Sequence, residues 1–142
     1  MSEELTITEV ARRTGLSKDA LRWYENEGLI PQVPRDGQGR RAYDERTLQM
    51  VDLLVKLRRT GMPVRVMREF LALVDQGAVS HGRRMTLLTE HRDEVLAKVR
   101  ETLADLDAIE AKIAHYGELI DAGLDCNEQP VSDEVAARQR QP

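Results

Sequence analysis

Cysteine and aromatic residues are scarce in this chain: one cysteine, one phenylalanine, one tryptophan and three tyrosines among 142 residues. The single thiol, Cys126, can close no internal disulfide and makes a poor cage for a soft metal, which excludes a disulfide-stapled scaffold and a thiolate zinc site. Long apolar runs are missing as well. The longest, Phe70 to Val74, falls far short of the roughly 20 residues that cross a bilayer. The first residues, Met1-Ser-Glu-Glu, are acidic, unlike a secretory signal. No membrane partner is expected, and the reducing cytoplasm is the expected compartment. No nucleophile–base pair, phosphate loop or metal-ligand spacing occurs, and His81, His91 and His115 lie far apart along the chain. The expectation is therefore a protein that is not an enzyme and needs no cofactor, with the histidines as surface or seam residues. What is present is ample apolar and charged material, 41% and 32%, enough for one compact domain with an appended element and too apolar for a wholly disordered chain.

The net charge of −4 argues against a polyanionic partner only until it is divided. Residues 1–77 carry 13 Lys/Arg and 12 Asp/Glu, whereas residues 78–142 carry 8 and 13. Within the first part the cations cluster: Arg12, Arg13, Lys18 and Arg22, then Arg35, Arg40 and Arg41, then Lys56 through Arg68 with no carboxylate between. A local basic face can coexist with an acidic total. For the Lys56 to Arg68 run a solvated surface is the expectation.

Local signals predict the order of elements. Thr6-Ile-Thr-Glu9 is a capping-box pattern, and Gly15 closes the short helix it opens. Ser17 can cap a second helix running through Lys18, Asp19, Ala20, Leu21, Arg22, Trp23, Tyr24 and Glu25 to Gly28, which completes a helix-turn-helix. Pro31 and Pro34 stop any continuation. Arg35-Asp-Gly-Gln-Gly-Arg-Arg41 then suits a tight turn between two short extended segments, a wing. Asp44 offers the next N-cap, Gly61 the stop, and Pro63 a start for a fourth helix ending near Gly77.

From about Met85 to Ile120 the pattern becomes a long heptad ladder. Leu88, Val95, Val99, Leu106, Ile109, Ile113, Tyr116 and Ile120 recur at steps of three and four, interrupted by Arg92 and Thr102. A rod of roughly 55 Å, at about 1.5 Å per residue, is too long for the head to cover. Its stripe needs a partner, and a second copy across a two-fold axis is the simplest one. Residues 121–142 are polar and are expected to form a loop and a poorly ordered tail.

Three of the five aromatic residues, Trp23, Tyr24 and Tyr43, fall in the helix-turn-helix and wing, each close to an arginine. Two readings stand on spacing alone: rings and guanidinium groups that donate to a phosphate backbone, or rings that pack wing against helix.

Ile7-Thr-Glu-Val-Ala11, Thr14-Gly-Leu-Ser17, Leu21-Arg-Trp-Tyr-Glu25, Gly28-Leu-Ile30, Gly39-Arg-Arg-Ala-Tyr43 and Gly61-Met-Pro63 occur in an order that resembles the MerR family of transcription regulators. The resemblance implies a mainly α fold. A winged helix-turn-helix head, residues 1–77, would have four helices and a small β wing; a long antiparallel coiled-coil dimerisation helix, residues 78–120, and an effector-loop region, residues 121–142, would follow. It implies a homodimer that binds a pseudo-palindrome in double-stranded promoter DNA and bends and untwists it in response to an effector or stress, acting on RNA polymerase indirectly. Carried over by position, Ser17, Lys18, Asp19 and Ala20 open the recognition helix. Arg22, Trp23 and Tyr24 clamp the backbone, with Trp23 and Arg40 standing where the family has Tyr. Arg41 and Tyr43 are the wing contacts, and Arg12, Arg13 and Arg35 are further phosphate candidates. Metal-sensing relatives carry cysteines where this chain has Ala78, Val79 and Ser80, and electrophile-sensing ones a cysteine where it has Lys56. The other readings are an architectural or recombination accessory factor and a coiled-coil interaction module.

Overall fold

A computed structural model describes residues 5–31 and 33–142. Its elements are α1 (Ile7–Thr14), α2 (Lys18–Asn26), α3 (Glu45–Arg59), α4 (Val64–Asp75), a 3-10 turn (Gly77–Ser80), α5 (His81–Ala122) and α6 (Asp133–Gln139). Extended pairing among the described residues is limited to single bridges: Leu5 with Tyr43, Arg35 with Arg41, and Leu124 with Pro130. The expected β wing is thus one bridge across a tight turn.

Three of the four head helices, α1, α2 and α3, start where a side chain can take up a free amide, whereas α4 starts after Pro63 with no side-chain cap. Thr6 accepts from Glu9 N–H at 3.3 Å, Ser17 from Ala20 N–H at 3.0 Å and Asp44 from Thr47 N–H at 2.7 Å, each meeting one otherwise unpaired donor of a first turn. The capping box on α1 is half made. The Glu9 carboxylate, expected to reach back to Thr6, instead takes the Arg12 guanidinium at 2.7 Å. Gly15 adopts the left-handed φ of 76° that lets α1 end and the chain turn directly into α2.

The chain divides into two units, Met1–Val95 and Leu96–Pro142. In the first, Val10, Leu21, Leu29, Val51, Leu54 and Met67 are fully enclosed, and the first turns of α5 contribute Leu87 and Leu88 to the edge of that core. Burying a side chain of this size stabilises by about 1.5–3 kcal/mol. Leu88, expected on the ladder of the long helix, is therefore a head residue, and Val95 is half-buried there. His91, expected at the surface or on the seam, is 9% exposed and lies 2.8 Å from Thr60 Oγ1.

In the second unit Gly123, at φ 66°, ends α5. The Asp125 carboxylate organises the turn that follows by accepting from Asn127 and Gln129 N–H. Ser132 caps α6, and Gln139 Nε2 donates back to Leu124 O at 2.7 Å. The tail expected to be poorly ordered thus carries a short helix, and Leu119 is buried within this unit. Leu96, Val99, Leu103, Leu106, Ile109, Ile113 and Tyr116 remain exposed along α5. Leu96 and Leu103 lie outside the ladder read from the sequence, and Ile120, counted in it, is half-buried.

Candidate nucleic-acid interface

Three pieces of sequence converge on one hollow of about 400 Å³. Thr6, Ile7 and Thr8 come from the start of α1, Arg22 from α2, and Arg35, Asp36, Gly39, Arg40 and Arg41 from the wing. Four guanidinium groups line one concavity, three of them paired with a carboxylate, Arg22 with Asp19, Arg40 with Asp36 and Arg41 with Glu25, and a guanidinium fork is a shape that matches phosphate oxygens.

The wing turn is built around Asp36. Its carboxylate accepts from Gln38 N–H at 2.8 Å and Arg40 N–H at 3.0 Å and sits beside the Arg40 side chain. Those two backbone bonds, aided by the Arg40 charge, hold its pKa below the usual carboxylate value. Arg35 Nη1 donates to Gly39 O at 3.1 Å, and the Arg40 guanidinium is hydrogen-bonded to Gln38. Arg41 leaves the turn to donate from Nε to Glu25 Oε2 at 3.0 Å, with both side chains largely enclosed.

On α2, Lys18, Asp19, Arg22 and Trp23 are exposed, and Ala20 and Tyr24 are half-buried. The Ser17 hydroxyl is engaged as the cap. Asp19 pairs with Arg22 at 3.0 Å in open solvent, a contact worth little there. Trp23, 51% exposed, meets Tyr24 edge to face at 5.3 Å. Tyr24 joins the edge of the head core. The two readings of the rings thus divide: Tyr24 packs, and Trp23 faces solvent.

Tyr43 is a correction. It was expected to touch DNA, yet it is 0% exposed, anchored by a bridge to Leu5, and its hydroxyl has no hydrogen-bond partner among the described residues. Burial first, and the Glu25 charge second, push its pKa above the ordinary 10.0. Arg12 lies outside the hollow, tied to Glu9, and Arg13 borders a separate shallow cleft with Thr14 and Glu45. In the third cationic cluster, Lys56 pairs with Asp52, Arg65 with Glu69 and Arg68 with Glu27, as a solvated surface does. Sequence reasoning missed Thr6, Thr8, Asp36 and Glu25 at this site; the Asp-Gly turn pattern could have flagged Asp36.

A helix-turn-helix with an arginine-lined wing beside its second helix, and a long helix after it, defines a DNA-binding regulator head. The model of the MerR HTH family regulatory protein matches residues 5–74, and that of the MerR DNA-binding region matches residues 48–116. An HTH-type transcriptional regulator of Haemophilus influenzae is 32% identical over 111 residues, spanning 78% of this chain and 82% of its own. Among solved structures, HiNmlR, a MerR family regulator lacking the sensor domain and bound to promoter DNA, superposes with a TM-score of 0.76 at 30% identity, covering 85% of this chain and 96% of that one. A MerR family regulator from Listeria monocytogenes gives 0.75 at 31%, covering 83% and 90%. The chain belongs to the MerR family of transcriptional regulators, and its function is DNA-binding control of transcription.

Proposed function

We propose that two copies of this chain pair through the exposed apolar row of α5, and that the pair binds a pseudo-palindromic site within a promoter. The observation that carries this reading is the row from Leu96 to Tyr116, seven large apolar side chains left in water along one helix. Such a row on a soluble chain marks an interface, and a two-fold axis supplies the matching row without a second gene product. Antiparallel pairing sets two heads at a fixed separation. A rigid pair of heads can impose that separation on the duplex, and deforming a site by tens of degrees costs of order 1–6 kcal/mol, which the phosphate contacts of two arginine hollows can offset. An effector or stress signal that shifts the head separation would then switch access of RNA polymerase to the promoter. The DNA-bound state of HiNmlR supports promoter DNA as the partner. Of the expected segments, residues 1–77 act in this reading as head, together with the first turns of α5 that pack on it, the part of residues 78–120 from Leu96 onward as dimer helix, and residues 121–142 as signal-facing end.

DNase footprinting of the full chain on the DNA upstream of its own gene tests the proposal. Two protected half-sites about one or more helical turns apart are expected. A folded dimer that protects no two-fold-related site at moderate salt would sink it.

A further inference from the structure

Among the described residues, one ion pair joins the wing to the recognition helix: Glu25 on α2 accepts from Arg41 Nε at 3.0 Å, and the two side chains are 12% and 13% exposed. The other ion pairs near the hollow are local. Arg12–Glu9 and Arg22–Asp19 span one turn of their own helices, and Arg40–Asp36 stays within the wing turn. An enclosed pair is costly to break, because the surviving charge keeps its burial and loses its partner. Glu25 is also a carboxylate set at the edge of a surface that must face polyanion, which is where a negative charge harms affinity most. A residue that weakens raw attraction there needs another reason to be present.

We propose that Glu25 is a positioning residue that sets DNA specificity through Arg41. With Nε taken by the carboxylate, the plane of the Arg41 guanidinium is fixed. Its Nη1 and Nη2 donors, which have no hydrogen-bond partner among the described residues, form the edge left for the hollow that Arg41 lines with Arg22, Arg35 and Arg40. A guanidinium held this way can meet a phosphate in one orientation only. The same bond holds the wing at one distance from Lys18 and Asp19 at the start of α2, so phosphate contacts and base-edge contacts come into register together. Glu25 thereby gives up part of the wing's positive charge and gains discrimination.

The inference rests on the DNA-binding reading, and its test separates the two. The full-length chain is used to enrich a duplex from a random-sequence pool, and binding of that duplex and of an unrelated duplex of equal length is measured against salt. Enrichment of no sequence by the wild type overturns the DNA reading and this inference with it. For Glu25→Gln we expect about 10-fold weaker binding of the selected duplex. Binding of the unrelated duplex should be as tight or tighter, with a salt slope steeper by about one counterion as Arg41 is freed toward phosphate. Glu25→Asp, which keeps the charge on a shorter stem, should fall between wild type and Glu25→Gln in selectivity even where Glu25→Gln lowers the melting temperature. Equal losses on both duplexes, or unchanged selectivity in both variants, would overturn the role of Glu25 and leave the DNA reading standing.

Discussion

His91 Nε2 lies 2.8 Å from Thr60 Oγ1 and ties α5 to the end of α3 inside the head. The Thr60 hydroxyl spends its proton on Lys56 O at 2.7 Å, so it accepts from His91, and the proton at that contact belongs to Nε2. Thr60→Val would leave the enclosed Nε2–H without a partner. That costs roughly 1–3 kcal/mol, to be read as a lower urea midpoint at unchanged slope. His91→Phe, which removes both the donor and its need, should cost less than Thr60→Val. Equal stability of Thr60→Val and wild type would show the contact to be idle.

Tyr43→Phe tests the correction at the wing. The hydroxyl is enclosed and unpartnered among the described residues, so its removal should leave stability the same or slightly higher and DNA affinity within about twofold of wild type. A loss of ten-fold or more would return Tyr43 to the DNA contacts. The raised pKa adds a pH signature. The folded chain holds the phenol proton more tightly than the unfolded chain, so the stabilisation is fully present below the unfolded value of 10.0 and is lost as pH rises through the higher folded value. Ultraviolet titration should show a phenol ionising above 10.0, and should lose that late step in Tyr43→Phe.

At the acid end the sign reverses. Asp44 has its pKa lowered chiefly by the Thr47 N–H bond, so its contribution is present above the unfolded value of 3.8 and fades as pH falls below it. Asp44→Asn keeps an acceptor for the α3 cap and removes the titration. Chemical denaturation from pH 5 down to pH 2 should therefore show a shallower acid limb for the variant than for the wild type.

Arg22 reaches the hollow from α2 and pairs with the exposed Asp19. Arg22→Ala should weaken binding to all duplexes alike and flatten the salt slope by about one. A sequence-selective loss at constant slope would assign Arg22 to a base edge instead.

The parts of this molecule that could be read from its sequence are the local ones. Thr6, Ser17 and Asp44 announce their helices because a cap involves residues three apart, and Gly15 its turn because few other residues take a positive φ. Burial is different in kind. Tyr43 stands beside the exposed Arg40 in a polar wing, yet its backbone pairs with Leu5, 38 residues earlier in the chain, and its ring is fully enclosed. The Glu25–Arg41 pair spans 16 residues, beyond any local pattern. On α5 the ladder through Leu88 and Val95 continues a regular three-four spacing into a segment that the head has already claimed, while Leu96 and Leu103 sit one position off the assumed row. A single-residue choice of helix face decides both errors. Ser132-Asp-Glu134 carried a helix start that the polar composition around it masked.

The most direct test of the account is the number of chains bound to one duplex of the selected sequence, measured by analytical ultracentrifugation for the wild type and for Ile109→Asp. The account predicts two wild-type chains per duplex, a monomeric variant in free solution because a carboxylate now interrupts the exposed row, and affinity for the full site reduced by at least a hundredfold. One wild-type chain per duplex, or full affinity from a monomeric Ile109→Asp, would contradict it.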